Sequence, residues 1–270
     1  MTAGRMLEGR MLEGRTALVT GSVAGLGHAM ARGLAAQGAA VLLNGLCRPG
    51  EGEAAAAALA AETGAEVAFD GADLADVPQI EAMMARALGR FGRVDIVVNN
   101  AVIRHFQPVE AFATAEWDRS IAVNLSAAFH LVRLALPGMK AGGWGRIVNL
   151  SSIYGSRGAE NRIDYVTTKT ALIGMTRAIA VETARTGITC NAVCPGTVPS
   201  PAIVERIAAI AAAEGVPQEE AERDYLAPRH PTGRFVALES VAALVVFLCS
   251  PAGADMTGSV VPIDGGWLAR

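Results

Sequence analysis

In the stretch NRIDYVTTK, residues 161–169, a tyrosine is preceded by an arginine three residues earlier and followed by a lysine four residues later. Side chains at i and i+4 meet on one face of a helix, so in a helix Tyr165 and Lys169 are neighbours. A phenol, with a pKa of about 10, is a poor base at neutral pH. An ammonium held beside it favours phenolate, which can take a proton from an alcohol. Tyr–Lys pairs are also common on surface helices, so the pair gains chemical meaning only from its surroundings. Arg162 poses a second question: its planar fork suits a carboxylate, sulfonate or phosphate, or it is a solvated helix charge.

A second chemical motif is TGSVAGLG, residues 20–27. Gly21, Gly25 and Gly27 permit a tight turn and let backbone N–H groups approach a ligand's phosphates at a helix N-terminus. Such a turn alone is weak evidence, but this one follows a strand and opens a helix, which makes dinucleotide binding the expectation. Its G-x-x-x-G-x-G spacing departs from the G-x-G-x-x-G of most Rossmann enzymes. Cys47, Cys190, Cys194 and Cys249 form no C-x-x-C pair, and ITCNAVCPG reads as a buried strand and its exit. Small buried hydrophobes are the expected role of the thiols. The four histidines are scattered without H-x-x-x-H, so no metal site is expected.

These residues need elements to position them. From Arg15 onward, apolar runs of strand length alternate with helical segments: TALVT (16–20), AAVLLN (39–44), EVAFD (66–70), VDIVVNN (94–100), GRIVNLSS (145–152), GITCNAVCPG (187–196) and SVVPIDGG (259–266). Helices are expected between them, over 77–91, 118–141 with Pro137 bending the last turn, 165–186 and 238–249. Continuous Val/Ile/Leu strands separated by helices predict an α/β fold, a single-domain Rossmann-type doubly wound parallel sheet. Residues 198–234 read as two short helices inserted after the sixth strand, a lid over a site or a surface excursion. The tandem GRMLEGRMLEGR at 4–15 leaves open whether translation starts at Met11. Residues 1–14 are set aside as a frayed N-terminal extension, with the catalytic domain over 15–270.

Composition sets limits on partners. With 51% hydrophobic and 18% charged residues, the chain can bury a large core and is not disordered. A net charge of −3 without a basic stripe argues against nucleic acid as a partner. No uninterrupted apolar run reaches the ~18–20 residues of a membrane helix, and the N-terminus lacks a signal-peptide core. The cytoplasm is the expected compartment.

Taken together, the motifs resemble the short-chain dehydrogenase/reductase family over essentially the whole length from Arg15. The matching pieces are the glycine turn at 20–27, DL at 73–74, NNA at 99–101, Asn124 in AVNLSA, NLSS at 149–152, Y-x-x-x-K at 165–169 and CPG at 194–196. Ser152 stands 13 residues before Tyr165, the separation such enzymes show. The resemblance implies that Tyr165 exchanges the alcohol proton while hydride moves to or from a nicotinamide. It implies that Lys169 also holds the nicotinamide ribose, Ser152 the reacting oxygen, and Asn124 a relay water. It places the dinucleotide on Gly21, Val23, Ala24, Gly25, Leu26, Gly27, Asn44, Leu46, Asp73, Leu74, Asn100, Ala101, Tyr165, Lys169, Pro195, Gly196 and Val198. A homotetramer is implied as well. Where the family writes N-N-A-G, this chain has Val102, which predicts a change of pocket shape beside the nicotinamide.

NAD enzymes commonly place Asp or Glu at the tip of the second strand for the ribose 2′-hydroxyl, and NADP enzymes place Arg. Here Asn44, Gly45 and Leu46 occupy the tip, and no base stands in the glycine turn. NAD is the expected cofactor, with Arg48 the one base in the following loop.

Within the family the greatest resemblance is to the D-3-hydroxybutyrate dehydrogenases, carried by LNG at 43–45, DGADL at 70–74, NLSAAFH at 124–130 and DGGWLAR at 264–270. It implies substrate-binding roles for Arg104, Ser152, Tyr154, Arg162, Thr197, Arg206 and Trp267. Apart from Ser152, those enzymes carry Gln, His, Lys, Trp, Gln and Trp at the same places in order. Three of the six positions have become arginine, and a tryptophan has shrunk to Thr197. The expectation is an anionic substrate larger or more acidic than 3-hydroxybutyrate: a sugar acid, a sulfonated sugar or a longer hydroxy acid. A neutral sugar or polyol, and a non-catalytic dinucleotide-binding role, stay open as alternatives.

Overall fold

The computed structural model describes residues 10–270. The first strand, β1 (Thr16–Thr20), is buried along its whole length, as an apolar run covered on both faces must be. Helix α1 (Gly25–Ala36) follows, then β2 (Ala40–Asn44), α2 (Glu51–Thr63), β3 (Val67–Asp70), α3 (Val77–Phe91) and β4 (Ile96–Asn99). Helices α4 (Thr114–Ile121) and α5 (Ala127–Ala141) precede β5 (Gly145–Leu150), then come α6 (Ile163–Thr183) and β6 (Ile188–Pro195). The chain closes with α7 (Pro201–Glu214), α8 (Gln218–Leu226), α9 (Leu238–Cys249) and β7 (Val260–Ile263).

All strand pairs are parallel, in the order β3-β2-β1-β4-β5-β6-β7. The order reverses between β1 and β4: the chain first builds outward through β2 and β3, then returns to β1's other side. A crevice therefore opens at the carboxyl ends of those two strands, the place where open α/β sheets bind ligands. One apolar cluster covers one face of the sheet, with Met30 and Leu34 of α1 and Val241 and Val245 of α9. A second covers the other face, with Ile80, Met83 and Met84 of α3 and Leu131 and Met139 of α5.

Two features differ from the sequence reading. Residues 10–14, set aside with the N-terminal duplication, are part of the packed body. Leu12 is buried in the first cluster, its N–H bonds to Gln37 O at 2.9 Å, and Arg10 Nη2 donates to Thr63 O. Residues 1–9 of the expected extension lie outside the described residues. The expected 118–141 helix starts earlier, at Thr114, and one π-helical turn (Ala122–Ser126) interrupts it. By length and composition the helical stretch Thr114–Ala141 is apolar enough to cross a membrane. Here it packs its apolar face on the sheet through Ala128, Leu131, Val132 and Ala135.

The insertion after β6 forms two helices, as read. Ile207 and Ala211 of α7 pack on Ala221 of α8 in a small core of their own, separate from the two sheet clusters.

Candidate active site

The glycine turn shapes the crevice by what it lacks. Gly21 and Gly25 have φ of +60° and +61°, a region L side chains avoid. A Cβ on Gly27 would stand 2.1 Å from Gly21 O, and one on Gly21 would stand 2.9 Å from Ala101 Cα. The NNA segment braces this turn: Asn100 Nδ2 donates to the carbonyls of Thr20 and Gly21, both at 2.9 Å, and Thr20 Oγ1 accepts from the N–H groups of Asn100 and Ala101. Helix α1 begins with no side-chain cap and no acidic residue in its first turn. Its leading N–H groups are thus left for a phosphate. These residues fit a dinucleotide.

Two adjoining cavities lie along the crevice. The larger, about 720 Å³, is lined by Gly21, Val23, Ala24, Asn44, Leu46, Asp73, Leu74 and Ala101 of the expected cofactor set. Cys47, Arg48, Glu51 and Arg119 line it too. The first three follow the second-strand tip and were within reach of sequence reasoning. Arg119 comes from α4, and nothing local in sequence pointed to it. Its Nη2 binds both Asp73 carboxylate oxygens, at 3.1 and 3.3 Å. The Asp73 carboxyl lies below its usual range, chiefly because it accepts the Ala75 N–H and further because of Arg119, against the opposing effect of burial. Asn44 is buried, and its Nδ2 donates to Asp70 O and Ala72 O, which fixes the amide's orientation. Its Oδ1 has no hydrogen-bond partner. Cys47 is exposed, unlike the other three thiols and unlike the buried role read for it from sequence.

The smaller cavity, about 270 Å³, brings together Gly25, Leu26, Gly27, Asn100, Arg104, Ser152, Tyr165, Lys169, Pro195, Gly196 and Val198. Val102 lines both cavities, in the place where the family pattern has glycine. Tyr165 and Lys169 face inward from α6 with the Lys169 Nζ 5.6 Å from the Tyr165 ring centroid. Lys169 Nζ donates to Leu150 O at the end of β5. Burial alone would raise the Tyr165 phenol. Lys169, Arg104, the Ser152 hydroxyl and Arg162 together outweigh it and hold the phenol below its ordinary value. Lys169 is likewise pushed down, first by burial and then by Arg104, against the pull of Tyr165. Ser152 Oγ accepts the Tyr154 N–H at 3.2 Å, which leaves its own hydrogen to donate toward the Tyr165 oxygen.

Asn124 sits in the π-helical turn, a distortion often found at functional sites. Its side chain is committed to the Ile103 backbone, accepting from N–H at 2.9 Å and donating to C=O at 3.0 Å. It thus braces the segment after β4.

On the substrate side, Arg104 lies 5.3 Å and Arg162 5.6 Å from the Tyr165 ring centroid. Arg162 also stacks on Phe106 at 4.0 Å and reaches Tyr154 at 5.5 Å. Tyr154 in turn meets the edges of Tyr165 and Trp267, at 6.2 and 5.7 Å. Neither arginine has a carboxylate partner among the described residues. Thr197 is buried, its N–H donating to Nε2 of His230, a ring that also contacts Trp267 and that sequence reasoning missed. Arg206 is the outlier. It lies exposed on α7 and makes none of these contacts, so the structure does not bring it to the cluster.

Comparison with known proteins identifies the relatives of this chain. Residues 21–268 match the family described as enoyl-(acyl carrier protein) reductase. The chain is 45% identical to D-beta-hydroxybutyrate dehydrogenase of Cupriavidus necator, covering 95% of this chain and 98% of that protein. It is 39% identical to the enzyme of the same name from Rhizobium meliloti, covering 95% and 99%. Among solved structures, L-sorbose reductase from Gluconobacter frateurii, complexed with NADPH and L-sorbose, superposes with a TM-score of 0.91 at 28% identity, covering 96% of this chain and 98% of that one.

Proposed function

This chain belongs to the short-chain dehydrogenase/reductase family, and we propose that it interconverts a secondary alcohol and a carbonyl on an anionic substrate, with NAD as cofactor and Tyr165 as the proton-transferring group. The observation that carries the anion is the pair of guanidinium groups, Arg104 and Arg162, placed by the Tyr165 ring with no carboxylate among the described residues to neutralise them. Burial disfavours the charge on Arg162, yet an arginine stays protonated under any such shift. A half-buried cation without a counter-ion is stabilised when a ligand brings one.

When bound, the nicotinamide supplies the hydride acceptor or donor. The chain's own groups handle the proton. Tyr165 phenolate accepts it from the alcohol, and Lys169 stabilises the negative charge on the phenolate beforehand. Ser152, which otherwise donates toward Tyr165, turns its hydrogen to the same substrate oxygen. In reduction the Tyr165 hydroxyl returns the proton. The Arg104 and Arg162 forks orient the anion so that the carbinol faces Tyr165.

Asn44 supports NAD. With both amide hydrogens committed to Asp70 and Ala72 and its oxygen buried, it offers no donor to a 2′-phosphate. Arg119 is already held by Asp73, which leaves Arg48 as the base nearest the question. Thr197, in place of the bulkier residue of the hydroxybutyrate enzymes, favours a larger acid. The likeness to the L-sorbose reductase keeps a neutral sugar or polyol as the second reading.

Arg162→Ala separates the two. On an anionic substrate kcat/KM should fall tenfold to a hundredfold, the ~1.5–3 kcal/mol of a lost charged hydrogen bond, with NAD affinity unchanged. Arg162→Lys should recover only part of it, since a point charge lacks the parallel N–H pair. Equal loss on a small neutral secondary alcohol would make Arg162 structural and the polyol the better reading.

A further inference from the structure

The segment that carries Arg104 is extended and alternates. Ile103, His105 and Gln107 are half-buried, while Arg104 and Phe106 between them are exposed. That period of two turns the odd residues toward the protein and the even ones outward, with Arg104 lining the smaller cavity and Phe106 lying under the Arg162 guanidinium. Each odd residue has an anchor. Ile103 is held by Asn124 through both backbone groups, and the Gln107 N–H donates to Asn161 O at 3.2 Å. The central anchor is a side-chain knot: His105 Nδ1 lies 3.0 Å from Asp164 Oδ2, and Ser120 Oγ donates to the same oxygen at 2.8 Å. The other Asp164 oxygen accepts the Tyr165 N–H at 2.6 Å.

The geometry points to this knot as the device that sets the arginine pair: Asp164, His105 and Ser120 are positioning residues for anion selectivity. This inference rests on the anionic-substrate reading above. Asp164 is fully buried and ties three elements together: α4 through Ser120, the post-β4 segment through His105, and the start of α6. Arg104 precedes His105 by one residue, and Arg162 precedes Asp164 by two. One knot therefore fixes one arginine from each element over the same tyrosine ring. Phe106, the residue after His105, carries the Arg162 guanidinium on its face at 4.0 Å, so movement of the segment displaces both cations at once. The His105 ring is further wedged edge-on against Phe112.

The knot also has a diagnostic sign. Asp164 carries a negative charge close to a site proposed to bind an anion. If the carboxylate acted only through its field, removing it would tighten anion binding. If it acts by holding the arginines, removing it weakens anion binding. The two accounts predict opposite signs.

The test uses the full chain with NAD and two probes that differ only in charge, D-3-hydroxybutyrate and D-3-hydroxybutyramide. Affinity of the NAD-loaded enzyme for acetoacetate, by calorimetry, serves as a readout that needs no turnover. His105→Ala and Asp164→Ala should each raise the hydroxybutyrate KM and weaken acetoacetate about tenfold, with kcat changed by less than about threefold, consistent with a misplaced charged contact. The amide's kcat/KM should move less than about threefold. His105→Asn, which keeps a donor at the Nδ1 position, should restore most of the loss. Ser120→Ala covers the case that Asp164→Ala fails to fold, with a smaller rise in the same direction. Tighter acetoacetate in Asp164→Ala, equal losses on acid and amide, or no recovery by Asn would overturn the inference. If Arg162→Ala discriminates acid from amide while the knot variants do not, the knot alone is refuted. If Arg162→Ala fails to discriminate, the anion reading falls and takes the knot's role with it.

Discussion

Replacing Tyr165 with phenylalanine tests the chemistry at its centre. The ring is retained, so its edge contact with Tyr154 and its stacking with Arg104 remain. Only the hydroxyl leaves. Loss of its hydrogen bonding costs ~0.5–1.5 kcal/mol of stability, a shift of a few degrees at most in Tm for a chain of this size. The kinetic loss is far larger. Lys169, Arg104, the Ser152 hydroxyl and Arg162 hold the phenol below its ordinary value against burial, which favours the phenolate. Removing a general base costs ~10²–10⁴ in rate, or about 2.7–5.4 kcal/mol at 1.36 kcal/mol per decade. The pH dependence follows in sign. Oxidation by the parent enzyme rises with pH through the lowered Tyr165 pKa, because phenolate is the active form, and the variant loses that limb. Initial rates by NADH absorbance across pH 6–10 (roughly the window around a phenol of pKa ~10 shifted down) and NADH binding by fluorescence measure both effects. Turnover within a few-fold of the parent, or an unchanged alkaline limb, would refute the assignment.

Other outcomes can be checked directly. NAD should exceed NADP in kcat/KM by at least ~10-fold, about 1.4 kcal/mol; equal use would show Arg48 reaching a 2′-phosphate. Burial pushes the Cys190 and Cys249 thiols up to about 12, and raises Cys194 as well, so a thiol reagent at mildly alkaline pH should label Cys47 alone in the native protein and all four in denaturant. Because Cys47 lines the larger cavity, saturating NAD should slow its labelling. Sedimentation at micromolar concentration should give a tetramer, with the exposed Phe129 of α5 and Val181 of α6 covered; a charged residue at Val181 should shift the protein to smaller species.

Local pattern carried much of this protein. Continuous apolar strands alternating with helical segments are enough to predict a parallel doubly wound sheet, because only strands buried on both faces read that way. Glycines at 21, 25 and 27, and Tyr165 with Lys169, are legible because turn geometry and helical spacing act over a few residues. What lay beyond the sequence depends on which elements pack together and at what rotation. Arg206 has the right chemistry but faces solvent on α7, while Arg119 reaches the crevice from α4 and His230 holds the Thr197 N–H from 33 residues further along the chain. Leu12 looked like part of a frayed repeat, yet a pocket beside Gln37 buries it. Ser120, His105 and Asp164 stand 15 and 44 residues apart in their contacts, with no periodicity linking them. Sequence spacing determines a side chain's neighbours within one helix or strand. Between elements, the neighbours are chosen by the packing of the whole core, which only the tertiary structure specifies.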